Sequence, residues 1–209
     1  MNQHRRVFAI LPAAGESRRM GQPKLLLSVG ETTVIDRVVQ TLLRAEVEGV
    51  FVVVRPDDTP LSEAAEQAGA TVIKPATAPK DMRQSVQFAL DYLAEQQAPR
   101  EDDSWLLIPA DHPSLELDVL NSLLQSRPES ERTILIPTFQ GRRGHPTLFP
   151  WHLAAKVSEL PADQGLNRLV RDHAKEVREI PVQTESILWD LDTPRDYEQL
   201  LARIDSSTA

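Results

Sequence analysis

Short apolar segments alternate with helix-like segments along the first two thirds of this 209-residue chain. The apolar segments are rich in β-branched residues, and those between them carry apolar residues at three- and four-residue spacing. Continuous apolar strands that alternate with amphipathic helices are typical of a parallel sheet covered on both faces. The pattern therefore predicts a single-domain α/β fold with an open, mostly parallel, Rossmann-like sheet. Strands are expected at Val7–Leu11, Val50–Val54, Thr71–Ile73, Trp105–Ile108 and Thr133–Ile136, and helices at Val34–Leu43, Ser62–Ala68, Ser85–Leu93 and Leu117–Leu124.

Composition and charge exclude several classes of function. The formal net charge is −8, which disfavours a nucleic-acid partner because such proteins usually carry a basic excess. The chain has no cysteine, which excludes disulfides, thiolate catalysis and cysteine-ligated metal sites. No segment approaches the roughly 18 consecutive apolar residues of a membrane span, and the apolar stretch after "MNQHRR" is too short for a signal peptide. We therefore expect one cytoplasmic domain over residues 1–209, without a membrane partner.

The loop after the first predicted strand, "LPAAGESRRMGQPKLLL", combines small residues with cations. The small residues are Ala13, Ala14 and Gly15, and the cations include Arg18, Arg19 and Lys24. Sheets of this kind bind ligands at the carboxyl ends of their strands. Small residues let a ligand approach the backbone N–H groups, and cations attract an anion such as a phosphate chain. The loop is neither a Walker A motif nor GxGxxG, and a tight turn followed by a solvated basic loop is the structural alternative.

Aspartates in two further motifs are candidate metal ligands. In "LLIPADHPSL", Asp111 follows a buried strand, where a carboxylate needs a cation or hydrogen bonds. Mg²⁺ usually takes one or two carboxylates together with substrate phosphates. In "DLDTPRDY", Asp190 and Asp192 share one face if the backbone is extended, so either is a candidate second ligand. For each motif the alternative is a helix N-cap.

Two more segments carry local signals. In "GRRGHPTLF", Gly141 and Gly144 allow an unusual turn, and we expect His145 to hydrogen-bond a substrate rather than act as a general base. A zinc site formed with His112 is disfavoured because no third ligand has suitable spacing. The sequence also suggests that Asp163 caps a helix. The segment "EQQAPREDDS" is the most polar stretch, and we expect it to form an exposed loop.

Together these motifs resemble a known family, the molybdenum-cofactor nucleotidyltransferases, also described as MobA-like NTP transferases. They form a branch of the glycosyltransferase-A-like nucleotidyltransferases. The first loop resembles the family's L-A-A-G-x-S-x-R-M-G-x-x-K signature, and "PADHP" resembles its P-A-D-x-P. "GRRGHPTLF" and "DLDTPRDY" resemble G-x-R-G-H-P-x-x-F and D-I-D-T-P-E-D, while "DQGLNRLV" is a weaker match to D-x-G-x-R-x-L-L. These blocks extend from residue 7 to residue 201, which is nearly the whole chain.

The resemblance implies roles for individual residues. Lys24, Arg19 and Asp111 would be catalytic, and Asp111 and Asp192 would hold Mg²⁺. The base of the nucleotide would lie near Ala13, and Gly144 and His145 would face a pterin. The residues implied in binding nucleotide or acceptor are Leu11, Ala13, Ala14, Gly15, Ser17, Arg18, Arg19, Lys24, Ser85, Gly144 and His145. The nucleotide part would cover about residues 5–125, and the substrate-facing part about residues 130–205.

The activity implied by the resemblance is transfer of CMP from CTP to the terminal phosphate of molybdopterin, with release of pyrophosphate. Ala14 and the P-A-D-x-P block favour CTP, since guanylyl-specific members carry A-G-G in the first loop. The alternatives are a sugar phosphate or other small phosphorylated acceptor, GTP as donor, or a non-catalytic carrier of the cofactor. A molybdoenzyme or its chaperone is a possible partner.

The chain departs from the family pattern at several positions. Pro12 replaces the first alanine of the signature, and Arg195 replaces an acidic residue. Asp81 and Arg83 replace small residues near the expected nucleotide site. We expect the last two replacements to bear on the choice of base.

Overall fold

The computed structural model describes residues 5–128 and 132–208. The ends of the predicted domain range, residues 1–4 and 209, lie outside the described residues. The strands are β1 (Val7–Pro12), β2 (Ser28–Val29), β3 (Thr32–Thr33), β4 (Gly49–Val53), β5 (Thr71–Ile73), β6 (Ser104–Leu107), β7 (Ile134–Phe139), β8 (Arg142–Arg143), β9 (Thr147–Pro150) and β10 (Val177–Pro181). The helices are α1 (Val34–Leu43), α2 (Thr59–Gln67), α3 (Met82–Gln97), α4 (Leu117–Gln125), α5 (Ala154–Glu159), α6 (Asn167–Asp172) and α7 (Pro194–Thr208).

One mixed sheet organises the molecule. Within the described residues its strand order is β10-β7-β9-β6-β1-β4-β5, and β8 pairs with β7. The pairs β1–β4, β1–β6, β4–β5 and β7–β10 are parallel, whereas β9 is antiparallel to both β6 and β7. The predicted single-domain α/β fold with a mostly parallel sheet is confirmed. The carboxyl ends of β1, β4, β6 and β7 therefore lie at the same edge.

Successive side chains of the central strand, β1, pack into two separate cores. Val7, Ala9 and Leu11 pack in the core that includes α1, α2, α4 and α7. Phe8 and Ile10 pack in the other core, with α3, α5 and α6. Side chains of a strand alternate between the two faces of its sheet, so helices on both sides bury the whole of β1. This is the reason that the strand sequences read as continuous apolar segments.

The predicted segments are found with shifted ends. The five predicted strands correspond to β1, β4, β5, β6 and β7, and the four predicted helices to α1, α2, α3 and α4. Helix α2 begins at Thr59, because Asp58 accepts a hydrogen bond from the N–H of Leu61 at 3.2 Å. The suggested cap at Asp163 is wrong, since α6 begins at Asn167 and has no side-chain cap. None of the described helices has the length and apolar character to cross a membrane.

The polar stretch before β6, which we expected to form an exposed loop, contains one buried charged residue, Asp103. Its side chain is fully buried and pairs with Arg6, with 2.7 Å between Oδ2 and the nearer guanidinium nitrogen. The carboxylate also accepts hydrogen bonds from the backbone N–H groups of Arg6 and Arg100. Burial opposes the charged form, but these hydrogen bonds outweigh it and lower the pKa of Asp103. The residue ties the first strand to the turn before β6.

Candidate active site

A cavity of about 570 Å³ opens at the carboxyl edge of the sheet. Its walls come from the loop after β1, the residues after β4 and β6, the start of α3, and the segment before α7. The lining residues are Pro12, Ala13, Ala14, Gly15, Glu16, Ser17, Arg18, Arg19, Lys24, Leu25, Arg55, Pro79, Lys80, Asp81, Met82, Ser85, Pro109, Ala110, Asp111 and Asp192. We call this space the first cavity.

The loop after β1 is shaped around Ser17. Ser17 has a positive φ of 50°, and its carbonyl accepts hydrogen bonds from the N–H groups of Met20 and Gly21. Its Oγ accepts a hydrogen bond from the backbone N–H of Lys24 at 3.3 Å. The N–H of Ala13 is bonded to the carbonyl of Val53 at 2.9 Å. No group of the described residues accepts a hydrogen bond from the backbone N–H groups of residues 14–19, so these donors are left for solvent or a ligand.

Lys24 joins the two candidate metal ligands. Its Nζ lies 2.5 Å from Asp111 Oδ2 and 3.0 Å from Asp192 Oδ1. Arg19 reaches the other oxygen of Asp192 at 2.8 Å. Burial opposes the ammonium charge, but the attraction of Asp111 and hydrogen bonds to both carboxylates outweigh it and raise the pKa of Lys24. The lysine is therefore charged, and the fold brings together three residues that are far apart in sequence.

Backbone contacts hold Asp192 in place. The N–H of Leu191 donates to the carbonyl of Asp111 at 2.9 Å. Asp196 Oδ2 accepts hydrogen bonds from the N–H groups of Asp192 and Thr193, and Thr193 Oγ1 accepts from the N–H of Asp196. This reciprocal arrangement is a capping box at the start of α7. The cap is thus Thr193, and the carboxylate of Asp192 is free of that role.

The capping alternative for Asp111 also fails. Helix α4 begins at Leu117 after Glu116, so Asp111 does not cap it. Asp190 does not join Asp192 but receives a hydrogen bond of 2.7 Å from His112 Nε2. That bond lowers the pKa of Asp190. Of the two aspartates that the sequence left open as the second metal ligand, only Asp192 contacts Lys24, which also binds Asp111.

A second cavity of about 500 Å³ borders the segment that leads to Asp192, at Ile187, Leu188 and Asp190. Its lining residues are Ile136, Arg142, Arg143, Gly144, His145, Thr147, Asn167, Val170, Arg171, Ile187, Leu188 and Asp190. Gly144 packs so closely that a Cβ atom would collide with the backbone of Ile187. The N–H of His145 donates to the carbonyl of Ile187 at 2.9 Å. The glycine thus lets the turn before β9 contact the segment that leads to Asp190 and Asp192.

His145 is neutral at physiological pH. Burial, together with the neighbouring His112 ring, lowers the pKa of His145 to about 4. Its Nδ1 is buried and has no hydrogen-bond partner among the described residues. A neutral imidazole with an unsatisfied nitrogen is suited to hydrogen-bond a bound molecule. Among the described residues no group of three or more His, Cys, Asp or Glu side chains is arranged to hold a metal ion.

Most of the predicted site residues line one of the two cavities. Those at the first cavity are Ala13, Ala14, Gly15, Ser17, Arg18, Arg19, Lys24, Ser85, Asp111 and Asp192. Gly144 and His145 line the second cavity. Leu11 lines neither, since its side chain is fully buried in the core beneath the loop. Its inclusion among the nucleotide-binding residues is not supported by its position.

Two further cations, Arg55 and Lys80, line the first cavity. The sequence analysis did not identify them, because neither lies in a motif that it recognised. Arg55 follows β4 at the carboxyl edge, so the rule that placed the loop after β1 also applies to it. Its guanidinium lies 3.1 Å from Glu16 and 3.3 Å from Asp57. Lys80 lies just before α3, in a segment without a recognisable motif.

The two departures near α3 differ in position. Asp81 lines the first cavity and caps α3 by accepting a hydrogen bond of 2.7 Å from the N–H of Gln84. Arg83 is not among the lining residues, and its guanidinium donates to the carbonyl of Leu160 at 3.2 Å. The arginine is therefore directed to α5, and only the aspartate borders the cavity.

Comparison with known proteins places this arrangement in a family. A model of the MobA-like NTP transferase domain matches residues 9–177. The chain is 30% identical to the purine catabolism protein PucB of Bacillus subtilis (strain 168), over 93% of this chain and 95% of PucB. It is 23% identical to the molybdenum cofactor cytidylyltransferase of Escherichia coli (strain K12), over 91% of this chain and 93% of that protein. A crystal structure of Rv0371C in complex with manganese, from Mycobacterium tuberculosis H37Rv, superposes with a TM-score of 0.76 at 24% identity, over 94% and 98% of the two chains. The chain therefore belongs to the MobA-like NTP transferase family and is a nucleotidyltransferase of that kind.

Proposed function

We propose that this nucleotidyltransferase moves CMP from CTP to the terminal phosphate of molybdopterin, with Mg²⁺ as its metal. The observation that carries the proposal is the position of Lys24, between Asp111 and Asp192. The ammonium and the two carboxylates lie in the first cavity, and Asp190 of the same segment borders the second. A donor in one cavity and an acceptor in the other would meet at this segment.

The first cavity suits the triphosphate of the nucleotide. It is lined by five cations, namely Arg18, Arg19, Lys24, Arg55 and Lys80. The unbonded N–H groups of residues 14–19 add neutral donors for phosphate oxygens. The base would lie towards Ala13 and Ser85, as the family resemblance implies. Ala14 and the P-A-D-x-P block favour cytosine, and the cytidylyltransferase relative is consistent with that choice.

The carboxylates fit a hard divalent cation. Two aspartate oxygens already converge on one positive atom, Lys24 Nζ. Two carboxylates completed by substrate phosphates and water are a usual environment of Mg²⁺. Bound by Asp111 and Asp192, Mg²⁺ would neutralise phosphate charge. The manganese complex of the structural relative agrees with a divalent ion in such a fold.

The chemistry is an in-line displacement at the α-phosphorus. An oxygen of the acceptor phosphate forms the new P–O bond, and the bond from the α-phosphorus to the bridging oxygen of pyrophosphate breaks. The electron pair of that bond leaves with pyrophosphate. Lys24 and Arg19 would offset the negative charge that grows on the phosphoryl oxygens. The remaining work of the chain is to hold both substrates in line.

The second cavity suits the acceptor. Its walls include β8 and the turn before β9, helix α6, and the segment from Ile187 to Asp190. His145, as a neutral imidazole, would hydrogen-bond a heterocycle such as a pterin. The close contact of Gly144 with Ile187 keeps this wall next to the metal-binding segment.

Pyrophosphate release tests the proposal. The enzyme is incubated with Mg²⁺, molybdopterin and each of CTP, GTP, ATP and UTP in turn. We expect release with CTP alone, its loss on addition of EDTA, and its loss in Asp111→Asn with an unchanged circular dichroism spectrum. Release with GTP instead would refute the choice of base. Absence of release with all four nucleotides would refute the acceptor, and full activity of Asp111→Asn would refute the metal site.

A further inference from the structure

The arginines of the second cavity are not all neutralised by the protein. Three arginines line it, Arg142, Arg143 and Arg171, against one carboxylate, Asp190. Asp190 is already hydrogen-bonded to His112. The excess of positive charge lies in a chain whose formal net charge is −8. The basic lining is thus a local feature of this cavity.

Two neighbouring arginines are paired with carboxylates, unlike Arg142 and Arg171. Arg143 pairs with Glu179 at 2.8 Å, and Arg168 pairs with Asp172 at 2.8 Å on the same helix as Arg171. Arg142 and Arg171 make no ion pair or side-chain hydrogen bond to any described residue. The two arginines without a carboxylate are on different elements, β8 and α6, and border the same space.

The acceptor phosphate that attacks the nucleotide cannot be the group that Arg142 and Arg171 bind. It must reach the α-phosphorus beside Lys24 and Asp192, which line the first cavity and not the second. Arg142 and Arg171 line the second cavity and not the first. One phosphate group cannot occupy both places. Guanidinium groups recognise anionic oxygens through paired hydrogen bonds, so an anion bound by these two arginines would differ from the reacting phosphate.

We propose that the acceptor carries a second anionic group, separate from the phosphate that receives CMP, and that Arg142 and Arg171 bind it. This inference rests on the proposed function, because it assigns the second cavity to the acceptor. It narrows the acceptor to a class with two separated negative groups, and it makes these arginines determinants of acceptor specificity. Acceptors whose only anionic group is the phosphate that receives CMP would bind weakly.

A pair of probes tests the inference without turnover. Fructose 6-phosphate and fructose 1,6-bisphosphate differ by one phosphate, and their Kd values are measured by calorimetry with Mg²⁺ and a non-hydrolysable CTP analogue present. We expect the bisphosphate to bind about tenfold more tightly, as for one charge-assisted contact. The double variant Arg142→Gln/Arg171→Gln should lose this difference. The control Arg168→Gln, whose arginine pairs with Asp172 outside the cavity lining, should keep it.

Equal or undetectable binding of the two probes by the wild-type protein would overturn the inference, as would a bisphosphate preference that survives in the double variant. Turnover gives a separate readout with molybdopterin. There we expect the KM for molybdopterin to rise about tenfold in the double variant, while the KM for CTP stays unchanged. Failure of the wild type to use molybdopterin would refute the proposed function, and the probe comparison would still decide this inference.

Discussion

At the scale of single residues, Lys24 has two effects on the candidate site. It neutralises Asp111 and Asp192, which would otherwise be two partly buried carboxylates side by side. It also places a positive charge where a phosphoryl group would react. Like charges so close repel, so the ammonium offsets the repulsion between the two carboxylates.

Replacement of Lys24 should therefore impair turnover more than folding. We expect Lys24→Met to lower kcat by about 10²–10³-fold, the usual loss on removal of one group that stabilises transition-state charge. The circular dichroism spectrum should be unchanged. Steady-state pyrophosphate release measures the effect, with Lys156→Met as the control, since that lysine is exposed and pairs with Glu159. A kcat within twofold of the wild type would show that Lys24 does not act on the reaction.

At the scale of elements, the segment from Glu185 to Thr193 connects the two cavities. A short 3₁₀ helix, Glu185–Leu188, contacts the turn before β9 through the carbonyl of Ile187. Leu191 is bonded to Asp111, and Thr193 begins α7 with a capping box. These contacts determine where Asp190 and Asp192 point. A change at the turn before β9 should thus affect the positions of the proposed metal ligands.

Gly144→Ala tests this coupling. The new Cβ would meet the backbone of Ile187, so the segment must move, and we expect a loss of stability of about 1–3 kcal/mol. The kcat/KM for molybdopterin should fall, while CTP binding in the first cavity is largely retained. Urea unfolding and steady-state kinetics measure the two effects. Gly165→Ala is the control, because a Cβ there meets open space; equal behaviour of the two variants would contradict the coupling.

At the scale of the whole molecule, buried charge at the far edge of the sheet affects stability but not chemistry. Asp103 holds the start of β1 to the turn before β6 through Arg6 and Arg100. Its pKa in the folded protein is below the ordinary value. The carboxylate therefore contributes stability above its unfolded pKa of about 3.9, and this contribution is lost as the pH falls through the folded pKa.

Asp103→Asn should lower the free energy of unfolding at pH 7 by about 3 kcal/mol, because Arg6 loses a buried partner. The difference from the wild type should shrink below about pH 4, as the wild-type carboxylate becomes protonated. Urea unfolding at pH 7 and pH 3 measures both. Glu101→Gln, in the same turn and exposed, should change stability by less than about 0.5 kcal/mol. A constant difference across this pH range would contradict the assignment of charge to Asp103.

The sequence by itself determined the class of the fold and the edge of the sheet at which the candidate site lies. Buried strands and amphipathic helices can be recognised locally, because the spacing of apolar residues in a segment indicates which of its faces is buried. The loop after β1 and the residue after β6 were recognised because each directly follows such an apolar strand. Among the strands that the sequence did not indicate, β8 and β10 consist mostly of exposed residues, so they lack the continuous apolar segment of a buried strand.

Only the tertiary structure decided which charged groups meet. Lys24 is 87 residues from Asp111 and 168 residues from Asp192 in the sequence, yet it binds both. No local sequence pattern indicates such a contact. The motif containing Asp190 and Asp192 did not show that the first binds His112 and the second binds Lys24. Likewise, Asp103 lies in a polar stretch but is buried, because the guanidinium of Arg6 compensates its charge. Local patterns determine whether a segment is buried, whereas the partners of a charge depend on how distant segments pack.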